Sequence, residues 1–206
     1  MMRRTRVLSC ALVSSFVGLG ATACSAPVDE GGEDIGDTSE AQEALTAGCA
    51  TSRAKILASA SGGRLAAIQR GFTCLDARVP YSQSRYHGGY RTDCSGFVSM
   101  AWQLGTSYTT INFNDGSAGS RTVTYGALQP ADALVRRSGG AGHIVMVLAW
   151  DDAAKTKACV IEQASTASDM QFRMRTAASL RGANYKAIRS NRFAGSGIAN
   201  DDDDDR

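Results

Sequence analysis

Histidine is scarce in this chain: its 206 residues include only His87 and His143. No Cys–Cys or His–His pair has a spacing typical of zinc ligands, so a metal centre is not expected. Long apolar runs are also missing. The one extended apolar stretch, residues 7–20, is short of the ~20 residues a bilayer span needs. No internal repeat is present. Acidic residues are sparse in the central part. Residues 46–200 hold eight acids against eighteen basic residues, a net charge near +10, while seven acids cluster in 29–43 and five in 201–205. Such a basic face suits an anionic partner, or is simply solvated.

The first residues carry an export pattern. Arg3, Arg4 and Arg6 precede the short apolar run, and Ala21, Thr22, Ala23 and Cys24 close it. A basic start, a short apolar core and small residues at the end make a signal peptide over residues 1–23. Two processing routes fit. One is ordinary cleavage after Ala23. The other is a lipobox-like route that lipidates Cys24, although Ala21 stands where a lipobox commonly has Leu. Residues 24–47 are rich in Gly, Ser and acids and cannot bury enough apolar surface to fold. They read as a flexible acidic tether, which favours the lipid anchor. One domain over residues 48–195 and a disordered acidic tail over 196–206 complete the expected organisation. Export makes nucleic acid a poor partner and anionic cell-wall polymer a better one. Membrane contact is expected only through a lipid anchor at Cys24.

Within the domain, residues 51–77 read as helical with a break at Gly62 and Gly63, and Leu65, Ile68, Phe72 and Leu75 repeat at helical steps. Val79 before Pro80 ends that segment. Residues 82–90 read as a loop. A second helix follows, capped by Thr92 or Asp93, with Phe97, Ala101 and Leu104 on one face and Gly105 as its stop. Residues 106–127 read as irregular. Strands are expected over 132–135, 143–150 and 158–162, with a Gly-rich turn at 138–142, and further short strands over 171–175 and 185–189. Helices first and strands second predict an α+β domain, with a helix packed on an antiparallel sheet.

Cys94 falls in the first turn of the second helix, where unpaired N–H groups and the helix dipole favour a thiolate. Gly96 beside it would let a substrate approach the backbone. A thiol nucleophile needs a base. His143 opens an apolar strand after a Gly-rich turn, whereas His87 lies in a loop with no rigid mount, so His143 is the expected base. Glu162, at the end of the next strand, could orient the imidazole; Gln163 is the alternative. Four cysteines remain in the domain: Cys49, Cys74, Cys94 and Cys159. With Cys94 a free thiol three are left, and Cys49 with Cys74 is one candidate pairing that the sequence does not fix.

The segment Tyr81, Gly88, Gly89, then Asp93-Cys94-Ser95-Gly96-Phe97-Val98, resembles the active-site segment of the NlpC-type cell-wall peptidases, which are papain-like Cys–His hydrolases. Leu128-Gln129-Pro130-Ala131-Asp132-Ala133-Leu134, followed by Gly142-His143-Ile144-Val145, resembles their second segment. The resemblance covers about residues 63–165. It implies a papain-like α+β fold, Cys94 as nucleophile and His143 as base. It also implies a substrate cleft lined by Tyr81, Asp93 and Ser95, with Asp93 suited to a substrate amine and the Cys94 N–H to the oxyanion. Ala131 stands where that family commonly has Gly, and Glu162 where its third polar residue is often His. Val160-Ile161-Glu162-Gln163 is closer to the related CHAP amidases.

Together these features predict an exported cysteine hydrolase of the cell envelope. It would be a monomer without a cofactor, cleaving an amide bond in peptidoglycan stem peptides or another envelope substrate. A Cys–His acyltransferase and a binding module that has lost catalysis are the rival readings.

Overall fold

In the computed structural model the described residues are 48–193. The expected signal peptide, tether and tail, with Cys10 and Cys24, lie outside the described residues. What is described is α+β, with helices first and a mainly antiparallel sheet after them. Among the described residues no helix is long and apolar enough to cross a membrane.

Ser52 caps α1 (Arg53–Ala58) by accepting a hydrogen bond from the Lys55 N–H. The break comes at residues 59–61, just before the expected one, and Gly62, with φ at +52°, opens α2 (Gly62–Asp76). Its inner face differs from the expected one. Arg64, Ala67, Ile68, Gly71, Phe72 and Cys74 are buried, while Leu65 and Leu75 are only half-buried. Close approach to the sheet selects the small-residue face. A Cβ on Gly71 would stand 3.0 Å from the Met146 side chain and 3.6 Å from that of Ile161.

Residues 82–90, expected as a loop, form most of a hairpin. β1 (Ser82–His87) pairs antiparallel with β2 (Tyr90–Thr92) across Gly88 and Gly89. Both glycines have positive φ, +58° and +87°, the backbone that a two-residue hairpin turn demands. The polar composition of β1 hid it, because an exposed two-stranded ribbon has no apolar alternation to read. α3 (Cys94–Ala101) then starts at the nucleophile candidate. It stops four residues before Gly105: Gln103 takes φ +53° and the Leu104 N–H bonds to the Ser99 carbonyl. The stretch 106–127 is more regular than expected. It holds α4 (Thr110–Asp115), opened by a Thr109/Asn112 capping box and closed by Gly116 at φ +87°, and the edge strand β3 (Ser120–Thr122).

The remaining strands are β4 (Ala133–Ser138), β5 (Ala141–Trp150), β6 (Lys157–Gln163), β7 (Met170–Thr176) and β8 (Lys186–Ser190). An unforeseen short helix, α5 (Ala177–Gly182), lies between β7 and β8. The six-stranded sheet runs β3-β8-β4-β5-β6-β7, with every neighbouring pair antiparallel. One face carries Ile144, Met146, Leu148 and Ile161 into a core with Ile68, Phe72, Phe97 and Val98 of α2 and α3. The other carries Val145, Val147 and Val160 into a smaller core with Leu128, Leu180 and Tyr185.

Two covalent and ionic ties were not foreseen. Cys49 pairs with Cys159, not with Cys74, and Cys74 remains a buried thiol. Cys159 lies on β6, 5.6 Å from Cys49 between Cα atoms, and Asp151 holds the same N-terminal segment by accepting from the Ala50 and Thr51 N–H groups at 2.9 and 2.6 Å. Asp132, expected to begin a strand, instead precedes β4 as a fully buried acid between Arg64 and Arg189, each at 2.9 Å.

Candidate active site

Asp93 opens α3. Its Oδ1 accepts from the Gly96 N–H at 2.6 Å, satisfying one of the orphan donors of the first turn, and from the Ser95 hydroxyl at 3.1 Å. Its Oδ2 accepts from Arg91 Nε at 2.7 Å. Arg91 also donates to the Ser95 hydroxyl and to the Ser107 and Tyr108 carbonyls, which ties β2, the helix start and the following loop together. Asp93 and Ser95 are therefore buried and engaged with Arg91. Gly96 has a different duty from the expected one: a Cβ there would stand 2.1 Å from the Arg91 carbonyl oxygen, so it is the β2 backbone that presses on the helix. Tyr81 is half-buried just before the hairpin, its N–H bonded to Asp169 at 2.8 Å.

Cys94 occupies the first helical position and is 4% exposed. Its thiol lies close enough to His143 to act on the imidazole electrostatically, so the nucleophile and base candidates are neighbours. His87 is exposed at the end of β1.

The sheet register brings the third group in. Met146 opposes Ile161, so His143 and Glu162 stand on one face as diagonal neighbours. The β5–β6 ladder begins only at Met146, and His143 pairs on its other side with Arg136 of β4. His143 Nε2 lies 2.5 Å from Glu162 Oε2, which leaves Nδ1 as the ring nitrogen for the thiol. Glu162 is wholly buried, and its other oxygen accepts from Arg173 Nε at 2.9 Å, with Arg175 at 3.8 Å. Gln163 points its amide elsewhere, donating to the Val79 carbonyl at 2.7 Å. Tyr185 packs edge-on to the imidazole, ring centroids 6.5 Å apart.

Charge in this cluster is strongly biased. Burial by itself raises the Glu162 carboxyl, but the hydrogen bond and charge of His143, then Arg173 and Arg175, bring it down to about 2. Burial opposes a charged His143. Tyr185 and then Cys94 favour the imidazolium electrostatically, the Glu162 hydrogen bond adds to this, and His143 is raised well above its ordinary 6.5. The arrangement can hold a thiol beside an imidazole whose far nitrogen rests on a fixed anion. Arg173, Arg175, Tyr185 and Arg91 escaped the sequence reading. The only available signal was alternation in β7, which puts Arg173 and Arg175 on the face of Glu162, two and four residues beyond its partner Gln171.

No family model matches this chain, and no curated protein matches it. Among the described residues no group of three His, Cys, Asp or Glu side chains is placed to hold a metal ion.

The Glu162 shift has a sign that can be checked. A carboxyl depressed from 4.5 to about 2 on folding adds stability that is complete above about pH 4.5 and is lost as the pH falls through about 2. The Glu162→Gln variant lacks that titration. Its stability should fall less between pH 4.5 and 2 than that of the unaltered protein, by about 3 kcal/mol. Urea unfolding at a series of pH values measures this, and parallel pH profiles would contradict it.

Proposed function

We propose that this protein is an exported papain-like cysteine hydrolase, similar to the NlpC-type peptidases, that cleaves an amide bond in peptidoglycan stem peptides. The observation that carries the reading is Cys94 at the first position of α3 against a His143 held by a buried, anionic Glu162. His143 takes the thiol proton on Nδ1 and is stabilised as imidazolium by Glu162 across Nε2. The Cys94 sulfur attacks the substrate carbonyl. Asp93 takes the Gly96 N–H, so the Cys94 N–H at the helix start is the donor for the developing oxyanion. The imidazolium then gives its proton to the leaving amine, and a thioester forms on Cys94. Water, deprotonated by His143, adds to the thioester; collapse releases the acid and restores the thiol. Tyr81 would line the substrate cleft, the role the NlpC resemblance implies for it. Asp93 would meet a substrate amine only by exchanging it for Arg91.

The low exposure of Cys94 keeps one rival in play: an acyltransferase would use the same three groups and pass the acyl chain to an amine in place of water. Incubation of the protein with purified peptidoglycan, followed by mass analysis of released fragments, separates the two. Hydrolysis gives fragments heavier by one water with a new free carboxyl. Transfer gives an amide-linked product, and an unchanged fragment profile would overturn the peptidoglycan reading.

A further inference from the structure

A second concave site lies at the far end of β5. Trp150 closes that strand seven residues after His143, about 20 Å along it. Together with Tyr125, Gly126, Lys155, Lys157 and Arg181 it lines a groove of about 600 Å³ that no Asp or Glu lines. That volume is in the range of ligand sites and far exceeds what a single small anion fills.

The groove combines two surfaces. Trp150 and Tyr125 offer aromatic area, and the cations are held at its rim. The Arg181 guanidinium lies 4.7 Å from the centre of the Tyr125 ring, and Lys155 Nζ donates to the Gly126 carbonyl at 2.6 Å. Tyr125 is itself fixed by donating its hydroxyl to the Tyr185 carbonyl at 2.7 Å. Asp151 and Asp152, whose charges reach Lys157, are occupied by the N–H groups of Ala50, Thr51 and Thr156 and by the Thr156 hydroxyl. The Trp150 indole N–H is buried and has no hydrogen-bond partner among the described residues. Aromatic faces stack on the C–H side of a sugar ring, and fixed cations select carboxylates over hydroxyls. The excess of basic residues across the domain favours a polymer of repeated negative charge over a single nucleotide.

We propose that this groove is a binding site for a carboxylated oligosaccharide, separate from Cys94, by which the domain holds an anionic glycan. The site does not depend on catalysis at Cys94. The test is calorimetric titration of the full chain with a galacturonate hexamer, its methyl-esterified form, a polyglutamate of matching charge, and uridine monophosphate. Trp150 emission is followed in parallel; Trp102, only 2% exposed, supplies a constant background. The acidic hexamer should bind and change the emission, and each of the other three should bind at least tenfold more weakly. The Lys155→Gln/Arg181→Gln double variant should weaken hexamer binding at least tenfold without lowering the melting temperature. Absence of binding overturns the proposal. So does equal binding of the ester, the polyglutamate or the nucleotide, or full affinity in the double variant. Trp150→Phe should remove the emission change, and a persistent change would locate binding elsewhere and equally overturn it.

Discussion

Cys94→Ser should abolish turnover, and His143→Ala should lower it on the order of 10³-fold, while His87→Ala should leave it within about twofold. The ranking follows from surroundings. His143 is largely enclosed, bonded through Nε2 to Glu162, and feels the Cys94 thiol electrostatically. His87 stands in solvent on a hairpin. Removing the His143 ring takes away the acceptor of the thiol proton and the donor to the leaving group, so both halves of the reaction suffer. Removing His87 takes away neither. The check is steady-state kinetics on a stem-peptide substrate, with circular dichroism to show that each variant is folded. A larger loss in His87→Ala than in His143→Ala would move the base to the hairpin.

Asp132→Ala should cost about 3–5 kcal/mol of stability. The carboxylate is completely buried and serves three partners: Arg64 at 2.9 Å, Arg189 through both oxygens, and the Gln129 N–H at 2.9 Å. Its removal leaves two guanidinium groups in the interior without their anion, and that uncompensated charge, more than the lost contact, sets the magnitude. The same acid links α2 to β8 across the start of β4, so its loss loosens the layer that carries α3. Urea unfolding of the variant should show a much lower midpoint at pH 7. A change below about 1 kcal/mol would mean that the two arginines find other partners or reach water.

The parts of this molecule legible in its sequence are those governed by local rules. Asp93 ahead of an apolar run marks a helix start, and α3 begins at Cys94. A short continuous apolar run after Gly139 and Gly140 marks β5, and the strand spacing allows Glu162 to come beside His143. What was not legible depends on contacts between distant segments. Gly96 reads as room for a substrate, yet it makes room for the Arg91 carbonyl of a hairpin whose polar strands carry no apolar signature. Cys49 has Cys74 as its nearer neighbour in sequence, but β6 brings Cys159 to it. The arginines that join His143 in holding Glu162 ionised come from β7 and stand out only once the register is known. Asp132 looks like an ordinary strand edge until Arg64 and Arg189 arrive from opposite ends of the chain.

The most direct test of the Cys94–His143–Glu162 assignment compares the two buried thiols within one molecule. Cys74 and Cys94 are 8% and 4% exposed, so enclosure alone would make both sluggish, Cys94 the more so. Burial raises the Cys74 thiol, and no imidazole relieves it. The protein is treated with iodoacetamide from pH 5 to 10, and each cysteine is followed by peptide mass mapping. Cys94 should be alkylated readily near neutral pH, Cys74 only at high pH, and His143→Ala should move Cys94 towards the Cys74 profile. Superimposable profiles for the two cysteines in the unaltered protein, or a Cys94 profile indifferent to His143→Ala, would contradict the assignment.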